Sequence, residues 1–185
     1  MVSEAIIAGC ARDDRKAQYA LYRALYPTLM SICTRYERDR QNASAMLNIG
    51  FLKILQNINK RGKDVPFEPW IRRIMINTVI DEFRRDRNRK EHETMELPIE
   101  ENHNASAVND HLREIEAEAF ERMLQSLPPM SRNVFNLFAI DGYSHAEIAE
   151  MLTISTGTSK WHVSNARQLL QKALIEHASH KATVR

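Results

Sequence analysis

The sequence predicts an all-α fold of two small helical domains joined by a flexible acidic linker. Only five glycines and six prolines occur in 185 residues, of which 43% are hydrophobic and 27% are charged. The frequent Leu, Ile, Met, Ala, Arg and Glu favour helices over strands joined by tight turns. Apolar side chains also recur at intervals of three and four residues, the period of a helix with one buried face. Such a chain is expected to be globular and to form its own core.

The uneven distribution of charge indicates where the domains end. Residues 60–90 contain ten Lys and Arg against five Asp and Glu, whereas residues 91–126 contain two against ten. The segment 91–112 also lacks a sustained apolar period, which is typical of a flexible linker. We therefore expect a first domain at 1–90, a linker at 91–112 and a second domain at 113–180.

Successive amphipathic helices are predicted over residues 4–58. Their apolar positions keep the helical period and are Ala17, Leu21, Leu25, Leu29, Ile32, Tyr36, Met46, Leu47, Phe51, Ile54, Leu55 and Ile58. The stretch from Lys60 to Pro66 contains a glycine and a proline and therefore predicts a charged loop. The helical pattern resumes at Phe67 and continues to about Arg87.

The helix after this loop has two different faces when it is projected at 100° per residue. The predicted inward stripe consists of Ile71, Met75, Val79 and Phe83. The opposite face contains Trp70, Arg73, Asn77, Asp81, Arg84 and Arg85. An aromatic ring, an amide and several arginines on one face fit a surface that binds nucleic acid. A solvated basic face without a partner is the alternative that this helix alone leaves open.

Residues 142–158 predict a helix-turn-helix. Ser144 with Glu147 three residues later forms a capping box that starts one short helix, and Ser155 can cap the next. Ala149 is small enough to let the second helix approach. The predicted inward stripe of that second helix is Val163, Ala166, Leu170 and Leu174. Polar and cationic side chains remain outward and fit a DNA major groove, although a solvated helix hairpin is the alternative.

The basic helix face after the loop and the helix-turn-helix together resemble the extracytoplasmic-function (ECF) sigma factors of RNA polymerase, and the resemblance covers nearly the whole chain. Leu21-Tyr22 to Tyr36 and Gly50 to Ile54 resemble the opening helices and the polymerase-binding helix of the sigma-two domain. Phe67 to Ile74, with Asn77-Thr78 and Ile80-Asp81, is similar to its promoter-recognition helix. Leu127-Pro128, Arg132, Val134-Phe135, GYSHAEIAEML and Ala166-Arg167 resemble the sigma-four domain.

The resemblance implies a site for each step of promoter recognition. The minus-ten element would be bound by Trp70, Arg72, Arg73, Asn77, Asp81, Arg84 and Arg85, with Asn77 and Asp81 reading bases. A flipped base would be captured by the loop of Gly62, Lys63, Asp64, Val65 and Pro66. The minus-thirty-five element would be bound by Thr158, Lys160, Trp161, Ser164, Asn165 and Arg167. Core RNA polymerase would contact Met46, Asn48, Phe51 and Leu52.

Two departures from the family pattern affect these expectations. Ser44-Ala45 and Asn48-Ile49 replace an acidic pair and a Gln-Glu that usually precede the phenylalanine of the polymerase-binding helix. Trp161-His162 replaces a small residue followed by a basic one in the recognition helix. The implied partners are core RNA polymerase, promoter DNA and, as in many relatives, an anti-sigma factor.

The sequence offers no pattern for catalysis or for membrane insertion. It contains no phosphate loop, nucleophile elbow or metal-binding spacing, so we expect no enzyme, cofactor, metal or small-molecule substrate. Cys10 and Cys33 fit small buried residues in a reducing cytoplasm. No window approaches the roughly 20 apolar residues of a membrane span. A helix-turn-helix regulator that does not engage polymerase remains the alternative function.

Overall fold

The computed structural model describes residues 2–62, 64–91 and 117–183 and contains eight α-helices and no strand in these ranges. The chain divides into two compact units, Met1–His92 and Glu93–Arg185. The prediction of an all-α, two-domain fold is therefore confirmed. Of the predicted linker at 91–112, only residue 91 is among the described residues. No described helix is long and apolar enough to cross a membrane.

The first unit is a bundle of four helices. They are α1 (Glu4–Ala11), α2 (Arg15–Tyr36), α3 (Arg40–Asn57) and α4 (Phe67–Glu91). Aspartates cap two of them: Asp14 accepts the amide hydrogen of Lys16 at 2.8 Å and Asp39 that of Gln41 at 2.8 Å. Such caps satisfy amides that have no partner within the helix, so they fix where α2 and α3 begin.

The core of the first unit contains most of the apolar positions that the sequence predicts. Leu21, Leu29, Leu47 and Ile54 of α2 and α3 are fully buried, and Cys10 and Cys33 are buried free thiols. Ile71, Met75 and Val79 of α4 are buried with them, whereas Phe83 is half-buried. Burial raises the pKa of the Cys33 thiol to about 12, so this cysteine behaves as a small apolar residue.

The second unit contains α5 (Ala117–Ser126), α6 (Pro129–Phe135), α7 (His145–Leu152) and α8 (Thr156–Thr183). A π-helical turn, Asn136–Ile140, follows α6. Pro129 is the first residue of α6, where its missing amide hydrogen has no cost to the helix. The core of this unit includes Met123, Leu124, Leu127, Phe135, Ala166 and Leu170.

The helix-turn-helix begins with the predicted capping box. Ser144 accepts the amide hydrogen of Glu147, and the Glu147 carboxylate accepts that of Ser144 at 2.8 Å. Ser155 then caps α8 by accepting the amide hydrogen of Thr158 at 2.9 Å. Between these two helices Thr153 has a φ of 56°, and the amide of Ile154 donates to the carbonyl of Ala149 at 3.0 Å. This is a helix end in the left-handed conformation, a place where glycine is the usual residue.

A β-branched residue in this conformation is strained, so we expect Thr153→Gly to stabilise the second unit by about 1 kcal/mol. The chain has only two tryptophans, Trp70 in the first unit and Trp161 in the second. Urea unfolding followed by Trp161 fluorescence, in a Trp70→Phe background, would measure the effect. Thr153→Ala is the control, because alanine retains the Cβ that causes the strain. An equal gain in both variants would contradict this explanation.

Candidate nucleic-acid and polymerase interface

Most of the predicted minus-ten residues lie on the face of α4 that is turned away from the core, whereas Arg72 lies on the side of the helix that faces α2. Arg72, Arg73, Asn77, Arg84 and Arg85 are exposed, and Trp70 is half-buried. Positions 73, 77 and 84 share one side of the helix because they are four and seven residues apart. The face opposite the buried stripe therefore presents one amide and several guanidinium groups to solvent, a chemistry suited to bases and phosphates.

Two acidic side chains form ion pairs at this face of α4. Lys53 Nζ of α3 lies 3.4 Å from Asp81 Oδ2, in a pair that is about half exposed, and Glu82 Oε1 lies 2.5 Å from Arg85 Nη1. Exposed pairs of this kind contribute about 0–1 kcal/mol, so DNA can replace them at little cost. Asp81 thus brings Lys53, which the sequence analysis did not select, to the edge of the α4 face.

The predicted base-capture loop is closed by Arg61. Its guanidinium donates to the carbonyl of Val65 and lies 5.6 Å from the centre of the Phe67 ring. The amide of Val65 donates back to the carbonyl of Gly62 at 3.0 Å. Gly62, Asp64, Val65 and Pro66 are exposed, whereas Lys63 lies outside the described residues. Arg61 was not among the predicted site residues, because its role depends on contacts across the loop.

The loop leads directly into aromatic side chains. The centres of the Phe67 and Trp70 rings are 5.9 Å apart with a 35° angle between their planes. Since Arg61 contacts Phe67 and Phe67 contacts Trp70, the loop and the first turn of α4 form one connected group. An aromatic ring beside exposed loop backbone can stack on an unpaired base.

The predicted polymerase contacts of α3 divide into buried and exposed residues. Met46 and Phe51 are each 8% exposed, and Phe51 packs edge-on against Tyr22 with 5.0 Å between ring centres. Burial in the core leaves these two side chains little surface to offer a partner. Leu52 is 56% exposed and Ile49 37% exposed, while exposed Asn48 accepts the Tyr22 hydroxyl hydrogen at 3.1 Å. The accessible part of the predicted contact is therefore Asn48 and Leu52, extended by Ile49.

The predicted minus-thirty-five residues occupy the first four turns of α8. Lys160 and Arg167 are exposed, and Trp161 and Ser164 are half-buried. Thr158 is half-buried. Its hydroxyl lies 2.8 Å from the Ser155 hydroxyl, and its amide donates a hydrogen bond to the same Ser155 oxygen. Arg167 lies over the Phe138 ring at 5.9 Å, so its charged end is held near one place on the surface.

A hydrogen-bond network holds α8 against α6. The Ser131 hydroxyl lies 2.9 Å from His162 Nδ1 and accepts a hydrogen from Asn165 Nδ2 at 3.1 Å. Ser131 and His162 are buried, and Asn165 is half-buried. Asn165, one of the residues predicted to bind the minus-thirty-five element, thus has part of its amide committed to the scaffold. Ser131 and His162 are positioning residues that the sequence pattern did not reveal.

A second histidine connects α7 to α8. His145 stacks on Phe138 with 4.4 Å between ring centres, and its Nδ1 lies 2.9 Å from the Ser159 hydroxyl. His145 is the first residue of α7 and is half-buried, because the π-helical turn brings Phe138 against its ring. Burial, together with the nearby cations Lys160 and Arg167, lowers the pKa of His145. Among the described residues, no group of His, Cys, Asp and Glu could hold a metal.

Comparison with known families matches both units. The family described as "Sigma-70 region 2" matches residues 21–89, and "Sigma-70, region 4" matches residues 117–170. Together the two matches cover more than half of the chain. The region 2 match includes most of α4 and the loop before it, and the region 4 match includes the helix-turn-helix.

Individual relatives agree with this assignment. The chain is 28% identical to the ECF RNA polymerase sigma factor SigM of Mycobacterium tuberculosis over 170 residues, 91% of this chain and 83% of the relative. It is 26% identical to the RNA polymerase sigma-H factor of Pseudomonas aeruginosa over 172 residues, 88% of this chain and 89% of the relative. The sigma factor RpoE from Bartonella quintana, solved with the anti-sigma factor NepR, shares the fold with a TM-score of 0.51 at 19% identity, covering 84% of this chain and 95% of that one.

Two helical units, one with an arginine-rich helix face and one with a helix-turn-helix, define a DNA-binding transcription factor. The chain belongs to the sigma-70 family of RNA polymerase sigma factors, in the ECF group. It therefore binds core RNA polymerase and directs initiation at specific promoters. The alternative of a regulator that does not engage polymerase is not favoured, because the region 2 match covers the first unit.

Burial of His162 makes the stability of the second unit depend on pH. Desolvation lowers the pKa of His162 from 6.5 to about 4, so the unfolded chain binds this proton first as the pH falls. The stabilisation is complete above pH 6.5 and is lost on acidification towards pH 4, by up to about 3 kcal/mol. Urea unfolding followed by Trp161 fluorescence between pH 7 and pH 4 would measure the loss.

His162→Gln should make this pH profile less steep, because glutamine does not titrate, while His145, whose pKa is also lowered, still contributes to the loss. His177→Gln, which removes an exposed histidine of the same helix, is the matched control and should keep the wild-type slope. If the two variants had the same profile, the buried histidine would not be the cause.

Proposed function

We propose that the exposed face of α4 binds the minus-ten element and that α8 binds the minus-thirty-five element. The observation that carries the proposal is the separation of faces on α4. Ile71, Met75 and Val79 are buried, whereas Arg73, Asn77 and Arg84 are exposed. Asn77 is placed to read a base, because its amide can both donate and accept, and the arginines are suited to phosphates. The predicted boundaries, 1–90, 91–112 and 113–180, are part of this proposal.

The loop from Gly62 to Pro66 captures a base of the displaced strand in this proposal. Support comes from its exposed residues, from Arg61, which holds the two sides of the loop together, and from Trp70 one helical turn away. A loop that is closed before DNA arrives loses less conformational freedom on binding. Trp70 supplies the aromatic surface on which a neighbouring base can stack.

Base reading at the minus-thirty-five element falls mainly to Lys160, Trp161 and Ser164 in this proposal, with Thr158 and Arg167 on phosphates. Lys160 and Arg167 are supported by their exposure, and Trp161 and Ser164 retain part of their surface. Asn165 has a mixed role, because one of its amide hydrogens is bonded to Ser131 while its carbonyl oxygen can still accept from a base.

Contact with core polymerase is proposed at the exposed part of α3. Leu52 and Ile49 are large apolar side chains that point to solvent, and Asn48 lies beside them. Such a patch commonly marks a protein interface, and here apolar contact takes the place of the acidic residues that the family pattern usually has.

Further parts of the proposal follow from the family. Acting with polymerase on DNA, the protein would work in the cytoplasm, and it would supply specificity and not catalysis. The RpoE structure contains an anti-sigma factor, which supports a similar partner for this chain. Membrane insertion, a small-molecule substrate and a cofactor have no part in the proposed mechanism.

In vitro transcription with core polymerase of the same organism tests the proposal. Genomic fragments would be transcribed with and without the full-length protein. We expect protein-dependent start sites that share two spaced elements. Absence of such starts, with intact binding to polymerase, would overturn the proposed promoter contacts.

Two substitutions should separate polymerase binding from promoter reading. Leu52→Glu should lower affinity for core polymerase at least about tenfold, since it places a charge where an apolar side chain is buried on binding. Asn77→Ala should leave that affinity unchanged. It should weaken recognition of the minus-ten element by roughly 1–3 kcal/mol and so lower transcription to different extents on different promoters. Affinity is measured by fluorescence anisotropy and transcription from the start sites found above.

Each variant has a matched control. Tyr19→Glu also places a charge at an exposed large side chain of the first unit, but on α2, and should bind polymerase normally. Arg84→Ala removes a phosphate contact and should weaken all promoters alike. A promoter-dependent effect of Arg84→Ala with a uniform effect of Asn77→Ala would reverse the assignment.

Closure of the loop by Arg61 can be tested on the same promoters. Arg61→Gln should slow promoter opening about tenfold, because a charged hydrogen bond across the loop contributes roughly 1.5–3 kcal/mol. Binding of core polymerase should not change. Lys60→Gln, which removes the neighbouring exposed cation, is the control for charge alone. Opening is followed with a fluorescent base analogue in the minus-ten element, and equal effects of both variants would count against a role in closure.

A further inference from the structure

A groove on the first unit lies between α2 and α4 and shares only Arg72 with the sites described above. Its volume is about 410 Å³, and it is lined by Pro27, Thr28, Ser31, Ile32, Arg35 and Arg72. The five residues from α2 share one side of that helix, because they are spaced by one, three or four positions. Arg72 approaches from α4.

The lining of the groove favours an anion. Its polar side chains are two hydroxyls, of Thr28 and Ser31, and two guanidiniums, of Arg35 and Arg72. None of the residues that line it is acidic. Arginine cannot lose its charge and offers hydrogen-bond donors in a fixed fork, the geometry that matches a phosphate.

Pro27 is the one accessible apolar side chain among the residues that line the groove. Ile32 is 2% exposed and forms part of the buried core beneath, whereas Pro27 is exposed at one end. Arg35 is half-buried, and its guanidinium lies 5.9 Å from the centre of the Tyr36 ring, which restricts where its charge can go.

We infer that this groove is a nucleotide phosphate site, with Arg35 and Arg72 binding the phosphate ester and the hydroxyls of Thr28 and Ser31 completing its hydrogen bonds. Arg72 is also among the residues expected to bind the minus-ten element, and it lies on the side of α4 that faces α2, so the strand bound there would extend from α4 onto α2. The same phosphate ester could come from a free nucleotide. The idea that the phosphate belongs to a DNA strand rests on the proposed function, whereas the anion site itself does not.

Nuclear magnetic resonance on the isotope-labelled full-length protein tests the site. The probes are inorganic phosphate, adenosine 5′-monophosphate and an oligothymidylate of 20 residues. We expect a saturable shift of the Ser31 amide and of the Arg35 and Arg72 side-chain signals. Arg35→Gln should weaken this binding about tenfold, as expected for the loss of a charged hydrogen bond.

Two further variants control for folding and for charge. Ser31→Tyr fills the groove from an exposed position without changing the charge and should also abolish the shift. Arg12→Gln removes an exposed arginine at the end of α1, outside the groove, and should bind within about twofold of the wild type. The amide spectrum of each variant reports whether it is folded.

The outcomes distinguish the sources of the phosphate. Saturation by oligothymidylate, with no response to the mononucleotide at equal phosphate concentration, supports a DNA strand. Saturation by the mononucleotide supports a free nucleotide ligand, and the groove would then act independently of the promoter contacts. The inference is overturned if no probe gives a saturable shift, or if Arg12→Gln weakens binding as much as Arg35→Gln. None of these results depends on the transcription variants at Leu52 and Asn77.

Discussion

The burial of one face of α4 against α2 and α3 is the constraint on which the first unit depends. Ile71, Met75 and Val79 lose nearly all contact with water, and each such side chain contributes roughly 1.5–3 kcal/mol. Because a helix is rigid, fixing this face also fixes the opposite one. The exposed amide and guanidinium groups that are proposed to bind a promoter are therefore positioned by apolar contacts on the other side of the helix.

In the second unit, the corresponding constraint combines apolar and polar contacts. Ala166 and Leu170 of α8 pack in the core, while Ser131 joins α6 to His162 and Asn165. A buried hydrogen bond is directional, so it fixes the rotation of α8 more closely than apolar packing alone. The side chains of Lys160 and Ser164 reach the surface from a helix that is held in this way. A buried, uncharged histidine is the condition for that network, which is why acid should weaken the unit.

Much of this organisation follows from local sequence patterns. The inward stripe of α4, the break at the Lys60–Pro66 loop and the capping box at Ser144 depend on residues within a few positions of each other, and each was predicted. Only part of the predicted polymerase contact is accessible, because the α3 period places Met46 and Phe51 in the core while Leu52 and Ile49 lie at the surface. A motif indicates which segment is functional, but neighbouring helices decide which of its side chains are accessible.

The sequence by itself determined the helical class, the two basic regions and the family, because periodicity, capping and motif spacing are local properties of the chain. Only the tertiary structure decided that Arg61 closes the loop, that Ser131 pairs with His162 and that Arg35 and Arg72 share a groove. These pairs bring together different elements or opposite ends of a loop, and their separations along the chain follow no period. Their contacts exist only after packing has brought the backbones together, and for that reason no sequence pattern could reveal them.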